Sequence, residues 1–340
     1  MNKLTKIGAS ALCGSLACVA ANAGTMSVSG SAVATWTTQD KAVTGNPIGI
    51  NSGITFVGSG ELDNGTTFTV SLTNADNMGY SSGNIVLTVP GLGSIGIDQG
   101  AGGQGIDAID DMMPTAWEET NGTGLSTKLK TVSGVGGSAN IQWKADEAMM
   151  PDGMSLAVAY APRAGQSGTS DKGQGGAGNN YQGSGLDAVV QYSGAADGLN
   201  VFLGYSKIDQ TDAAAVRSGD ASAYAAGFTY AFSGITIGYE QSKDKLENAA
   251  TSAVSYYDNQ LYGVSYLIND NLSVSYGKAD SEQVLNGIAN VENSADSVQL
   301  SYTMGGATVV VAQTSVDNGS YTSGTTTDLD GRTIRLSLAF

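Results

Sequence analysis

The 340-residue sequence predicts an all-β fold: a single closed antiparallel β-barrel of sixteen transmembrane strands. Three observations lead there. Short segments alternate apolar and polar residues along the chain, and successive side chains of a strand point to opposite faces, so each segment has one apolar and one polar side. The connections alternate between short and long, the rhythm of an even-numbered barrel with tight turns at one rim and larger loops at the other. The polar sides carry Ser, Thr, Asn, Gln and Gly. Such faces are too polar for a dry core, because buried hydroxyls and amides need partners that a wet lumen supplies. The mean hydropathy of −0.05 fits a soluble chain, but a barrel averages its two faces to the same value.

The strands follow in order. The first covers roughly 25–37, with Met26, Val28, Ala32, Ala34 and Trp36 opposite Ser27, Ser29, Ser31 and Thr35. A second near 53–62 leads into Asp63-Asn64-Gly65, a strong hairpin signal because Asn and Gly both tolerate positive φ. Phe68, Val70 and Leu72 define the third strand, and Ile85, Leu87 and Val89 the fourth. After Pro90–Gly93 the fifth carries Ile95 and Ile97. Ala139, Ile141 and Trp143 oppose Asn140, Gln142 and Lys144 in the sixth. Further strands centre on Leu156–Tyr160, Leu186–Tyr192, Leu199–Tyr205, Tyr224–Phe232, Ile235–Tyr239, Tyr262–Tyr266, Leu272–Tyr276 and Val298–Met304. Around Ala307–Gln313 the run Val309-Val310-Val311 leaves the facing open, and 331–340 completes the set. The long connections fall at about 38–52, 75–83, 99–137, 162–184, 208–220, 243–256, 280–295 and 315–329. Tyr160, Tyr192, Tyr205, Tyr230, Tyr239, Tyr262, Tyr266, Tyr276 and Tyr302 lie mostly near strand ends on the apolar side, the placement of an aromatic girdle in outer-membrane lipid.

Residues 1–23 read as a secretory signal peptide, with Lys3 and Lys6, an apolar run over Ile7–Ala20, and the small-x-small site Ala21-Asn22-Ala23. The run is short for a membrane span, and Ser15 stands where a lipoprotein signal wants Leu before Cys18. Residues 24–340 then form one barrel domain. Both cysteines, Cys13 and Cys18, lie in the leader, and the chain has no histidine. That excludes a disulfide staple, a Ser-His-Asp triad and the usual zinc hydrolase, and argues against an enzyme. The formal charge of −16 becomes about −18 once Lys3 and Lys6 leave. Such a chain repels nucleic acid and draws cations.

The last residues alternate to the end, with Ile334, Leu336, Leu338 and Phe340 on one face. This resembles the closing strand of bacterial outer-membrane barrels, whose terminal aromatic is read by the assembly machinery. Together with the leader, the strand-turn Val89-Pro90-Gly91-Leu92-Gly93-Ser94-Ile95-Gly96-Ile97-Asp98 and the very long loop after it, the chain resembles a Gram-negative general diffusion porin, especially of the alphaproteobacterial type. The resemblance implies passive diffusion of small hydrophilic solutes and ions through an outer-membrane pore, a third long loop folded inward to narrow it, and a homotrimer. Here that loop is about 99–137. Its acids Asp107, Asp110, Asp111, Glu118 and Glu119 would form the constriction, with Lys128 and Lys130 as loop bases. The family sets such acids against wall bases. Lys144 and Arg335 have lumen-facing parity, while Arg332 has the outward parity of a rim residue. The enteric form of the acidic loop motif is absent. Only Arg163, Arg217, Arg332 and Arg335 represent arginine, so a cation preference is expected. Gly30, Ala32 and Ala34 on strand one would supply a flat wall for the trimer.

No cofactor is expected. Calcium at the acidic loops is the exception to weigh, since Asp328-Leu329-Asp330-Gly331 resembles the start of a calcium loop but lacks the later ligands. Gly173-Gln174-Gly175-Gly176-Ala177-Gly178 fits a dinucleotide motif, but no βαβ context surrounds it. Asn64, Asn121 and Asn318 match glycosylation sequons that Asn-Gly turns explain equally well. Two other functions compete. A secreted adhesin or autotransporter-like passenger accounts for the acidity but not for the terminal aromatic strand. A barrel enzyme would need a Ser-Lys or carboxylate mechanism.

Overall fold

Residues with one apolar and one polar face cannot satisfy both against a single solvent, and closing the sheet resolves this while removing its edges. In a computed structural model, which describes residues 24–40, 45–76, 79–99, 101–125, 127–166, 182–211, 217–324 and 326–340, the chain forms a closed barrel of sixteen strands, each antiparallel to the next. The strands are β1 Thr25–Gln39, β2 Ile48–Glu61, β3 Thr67–Ala75, β4 Gly79–Val89, β5 Gly93–Gln99, β6 Asn140–Ala145, β7 Met154–Ala161 and β8 Gln182–Tyr192. They continue as β9 Leu199–Gln210, β10 Ala221–Phe232, β11 Ile235–Lys245, β12 Val254–Asn269, β13 Leu272–Leu285, β14 Val291–Met304, β15 Ala307–Asp317 and β16 Leu329–Ala339. The predicted leader, and the Gly173–Gly178 motif, lie outside the described residues.

β1 and β16 close the cylinder, with Ala32 opposite Leu338 and Trp36 opposite Ile334. Beyond β16, Phe340 and Gly30 exchange both backbone hydrogen bonds, at 2.7 and 3.0 Å. A Cβ at Gly30 would stand 2.5 Å from the Phe340 ring, so the glycine is the seat on which that ring lies.

The alternation predicted from sequence is the alternation observed. Leu203, Tyr205, Tyr262, Tyr276, Val298, Tyr302, Leu336 and Leu338 are exposed on the outer wall. Their neighbours Ser206, Asn259, Ser275, Ser297, Gln299 and Thr333 are buried on the inside. The ambiguous valines divide: Val309 lies outside opposite Tyr302 and Leu336, and Val310 faces in, fully buried, opposite Arg335.

Two predicted long loops are corrected. The connection 75–83 shrinks to 76–78, and 280–295 shrinks to 286–290. In both places the ladder continues into the predicted loop, pairing Asn74 with Tyr80 and Ala75 with Gly79 in the first and Asp280 with Ser294 and Glu282 with Glu292 in the second. Polar composition suggested loop there, but backbone pairing needs no apolar face. The link between β6 and β7, not assigned a turn from sequence, is a short 146–153 segment. Asp146 caps a 3-10 turn in it by accepting a hydrogen bond from Ala148 N at 2.9 Å.

Candidate functional site

Loop 100–139 connects two adjacent strands with far more chain than a hairpin needs. It is held against the inward faces of β8 to β16 at four successive places.

The root is fixed by a carboxylate in a backbone nest. Asp187, inward on β8 and fully buried, accepts the N–H of Ile106 and of Val135, both at 3.0 Å. Both donors adjoin left-handed glycines, Gly105 (φ +62°) and Gly134 (φ +50°). A Cβ on either would lie 2.3 Å from Asp187 Oδ2, so only glycine lets the backbone approach that closely. Gly105 N also donates to Gln142 Oε1 on β6 at 2.9 Å.

The middle is apolar. Ile106, Ile109, Met113, Leu129 and Val132 from the loop form one buried cluster with Val189, Phe202, Ala223, Ala225, Leu261 and Ala279 of the wall. Beyond it Pro114 lies so close over β11 and β12 that a Cβ on Gly238 or Gly263 would stand 2.6 or 2.8 Å from its ring. Small inward residues thus make room for the loop, and apolar burial of this kind stabilises by about 25 cal/mol per Å².

The tip is held by hydrogen bonds. Ala116 N donates to Ser275 Oγ at 2.8 Å. Gln299 Oε1 on β14 accepts both Trp117 N and Glu118 N at 3.1 Å, while its Nε2 donates to the Glu118 carbonyl at 2.6 Å. On the return, Asn293 Nδ2 donates to the Thr127 carbonyl at 2.8 Å, and Lys130 N donates to the Tyr321 hydroxyl at 2.8 Å. Tyr321 comes inward from the β15–β16 connection, packs on Tyr257 at 5.2 Å, and its phenol is pushed up to about 12 chiefly by burial.

The five predicted acids come together on this loop. Burial lifts the Asp110 carboxyl to about 7, with Asp111 and Asp107 adding repulsion, although the Thr131 hydroxyl donates to it at 3.0 Å. Burial likewise carries Glu119 to about 7, reinforced by Asp111 and Glu118. Asp107 and Asp111 are raised by burial; at Asp107 the Gly103 N–H, donating at 2.7 Å, opposes the rise, and at Asp111 the Asp107 charge adds to it. Burial also raises Glu118, against the pull of the Arg335 guanidinium. Beneath them the fully buried Glu240 on β11 adds a carboxyl whose strongest charged neighbour is Asp110.

The bases do not all join them. Arg335 faces inward and stands 5.6 Å from the Trp117 ring centroid, beside Glu118. Lys144 also has the inward parity of Asn140 and Gln142, but it lines a separate hollow near the β6–β7 turn with Glu147, Asp152 and Asn200. Lys130 approaches Asp244, and Lys128 adopts a left-handed backbone (φ +50°). Arg332 faces outward as its parity predicted, donating to Gln313 at 3.3 Å. Lys207, Lys243 and Lys278 also sit on the outer face, each bridged to an aspartate at 2.7–3.0 Å. Among the described residues no three acidic side chains converge in a way that could hold a metal ion.

Asp187, Gln299, Trp117, Glu240 and Tyr321 were not found from sequence. Four of them had a usable signal: a charged or amide residue at inward parity in Asp187, Glu240 and Gln299, and the loop's lone tryptophan in Trp117. Tyr321 had none.

A family description of Gram-negative porins matches residues 8–323. Among solved structures, the chain is similar to Salmonella typhi OmpF in complex with daunomycin, at 16% identity and a TM-score of 0.67 over 95% of this chain and 99% of that one. It is similar to the anion-selective porin of Comamonas acidovorans, at 11% identity and a TM-score of 0.67 over 93% and 100%. It is also similar to Vibrio cholerae OmpT in its trimer form, at 11% identity and a TM-score of 0.65 over 94% and 100%. At these identities the structures carry the fold. A comparison with curated protein sequences found no match. The family and fold are those of an outer-membrane channel for passive diffusion, not of a catalyst. With its closed sixteen-stranded barrel, apolar outer wall and a long loop packed against the inward strand faces, this chain belongs to the Gram-negative porin family.

Proposed function

We propose that loop 100–139 narrows a water-filled pore for small hydrophilic solutes and ions, and that its acids give the pore a weak preference for cations. One observation carries the reading: a loop bearing five carboxyls packs along the inward strand faces, while inward-facing bases are few. On the strands, Lys144 and Arg335 are those with inward parity, and only Arg335 adjoins the acids. The inner faces of β1 to β5 present mainly Ser, Thr, Asn and Gly. A cation passing the loop meets fixed negative charge and loses little of its hydration, whereas an anion meets no compensating row of bases.

The outer band of aliphatic and tyrosine side chains would face lipid. The Phe340 side chain, exposed on that wall, is available to an assembly factor. A homotrimer is supported by the trimer form of the similar V. cholerae protein and by the exposed apolar residues Ile50, Leu72, Ile85 and Ile97 on β2 to β5. Liposome swelling with a size series of neutral sugars tests diffusion. Reversal potentials in a salt gradient across a planar bilayer test selectivity, and anion preference would overturn the charge assignment.

A further inference from the structure

Under the tip of loop 100–139, on the side of the short turns, lies a hollow of about 300 Å³ that none of the loop acids lines. Trp117 forms part of its boundary from above. The inward faces of β12 to β15 complete it with a group of hydroxyls: Ser265, Ser273, Ser301, Thr303 and Thr308. Its one carboxylate, Asp270, sits on the exposed β12–β13 turn.

The backbone that carries Trp117 is tethered before any ligand arrives. Its own N–H and that of Glu118 bond to Gln299, the preceding Ala116 N bonds to Ser275, and the Arg335 guanidinium stands 5.6 Å from the ring centroid. A ligand meeting this ring has no loop backbone to order, only the side chain. The hydroxyls can each donate and accept, and Thr303 and Thr308 already pair at 3.1 Å. A flat apolar ring beside a row of uncharged donors and acceptors is complementary to a solute that is itself two-faced, with C–H groups on its faces and hydroxyls around its edge. The volume is at the low end of the roughly 300–1,000 Å³ typical of small-molecule sites, enough for one sugar ring.

We propose that this hollow is a binding subsite for a neutral hexose-sized sugar, which stacks on Trp117 and hydrogen-bonds to the Ser and Thr hydroxyls of β12 to β15. The proposal rests on the reading of the lumen as a solute path and adds a residence point to it.

The test uses the full folded chain in detergent. Of the three tryptophans, Trp36 lies on the outer wall and Trp143 donates to the Leu92 carbonyl at a turn. The double substitution Trp36→Phe and Trp143→Phe therefore leaves Trp117 as the sole emitter, with heat-modifiable gel migration checking that the barrel is closed. Titration with D-glucose should shift Trp117 emission saturably, in the millimolar range. Adding Thr303→Val and Thr308→Val should weaken that binding roughly tenfold, the effect of losing one to two hydrogen bonds. Mannitol, an acyclic polyol without a ring face, should bind more weakly than glucose. A linear, non-saturating response, equal affinity for mannitol, or tighter saturation by tetraethylammonium would each overturn the sugar assignment. The potassium chloride conductance of the unaltered chain in planar bilayers reports separately on the pore, so failure of the subsite is distinguishable from failure of the channel.

Discussion

Replacing Gln299 with leucine isolates the tether at the loop tip. The amide makes three bonds to the loop backbone, to Trp117 N, Glu118 N and the Glu118 carbonyl. Leucine keeps the approximate volume but neither donates nor accepts. Each lost bond removes about 0.5–1.5 kcal/mol net, and a buried group left unsatisfied costs more. Trp117 and Glu118 are half-buried at the edge of a wet lumen, so water recovers part of this. A net local loss of about 2 kcal/mol is expected, close to a thirtyfold rise in the population of the detached tip. Amide hydrogen exchange at Trp117 and Glu118, followed by mass spectrometry of the folded protein, should accelerate by about that factor. Exchange in β14 itself should hold, because the ladder to β13 and β15 is untouched. Single-channel current should become noisier as the tip visits the lumen. Unchanged exchange at 117 and 118, within twofold, would refute the tether; acceleration across the whole barrel would refute its locality.

Three further outcomes follow from the same geometry. Asp110 and Glu119 both sit at about 7, well above their ordinary range. Their packing is therefore most favoured below about pH 4 and weakens as pH rises from there through about 7, while charge appears on the folded loop around pH 7. Cation preference in bilayers should increase between about pH 6 and 8 and flatten in Asp110→Asn with Glu119→Gln; a flat profile in the unaltered chain counts against these values. Gly134→Ala places a Cβ 2.3 Å from Asp187 Oδ2 at a φ of +50°, costing about 1–2 kcal/mol for the backbone before the clash. The loop should become cleavable by protease in an otherwise heat-stable barrel, and resistance equal to the parent's would contradict the nest. Gly30→Val drives a methyl-bearing carbon into the Phe340 ring, so the folded fraction in liposomes should drop; equal yields would show that the ring has another seat.

Much of the barrel was legible because a strand reports its facing in a period of two. Leu336 and Ser337 declare opposite sides without reference to any other segment, and Arg332 and Arg335 were assigned to opposite walls on that parity alone. Where parity is silent, as in Val309-Val310-Val311, only pairing with Tyr302 and Arg335 decides. Composition misled at 280–295, because charged residues at the rim are compatible with a ladder as well as with a loop.

Loop 100–139 marks the boundary between the two kinds of information. Its acids were visible as a cluster in sequence, and so was its length. Its path was not, since Ile106, Ile109, Met113, Leu129 and Val132 acquire meaning only against Phe202, Ala223 and Leu261, which lie some sixty or more residues away. The same holds for Asp187, whose acidic side chain is unremarkable until the fold brings the amides of 106 and 135 to it. Sequence by itself determined the two-faced wall, because facing is a local property of the backbone. Tertiary structure alone decided which bases meet the acids, bringing Arg335 to Glu118 and leaving Lys144 near a distant turn, because distance across a lumen is set by how all sixteen strands close.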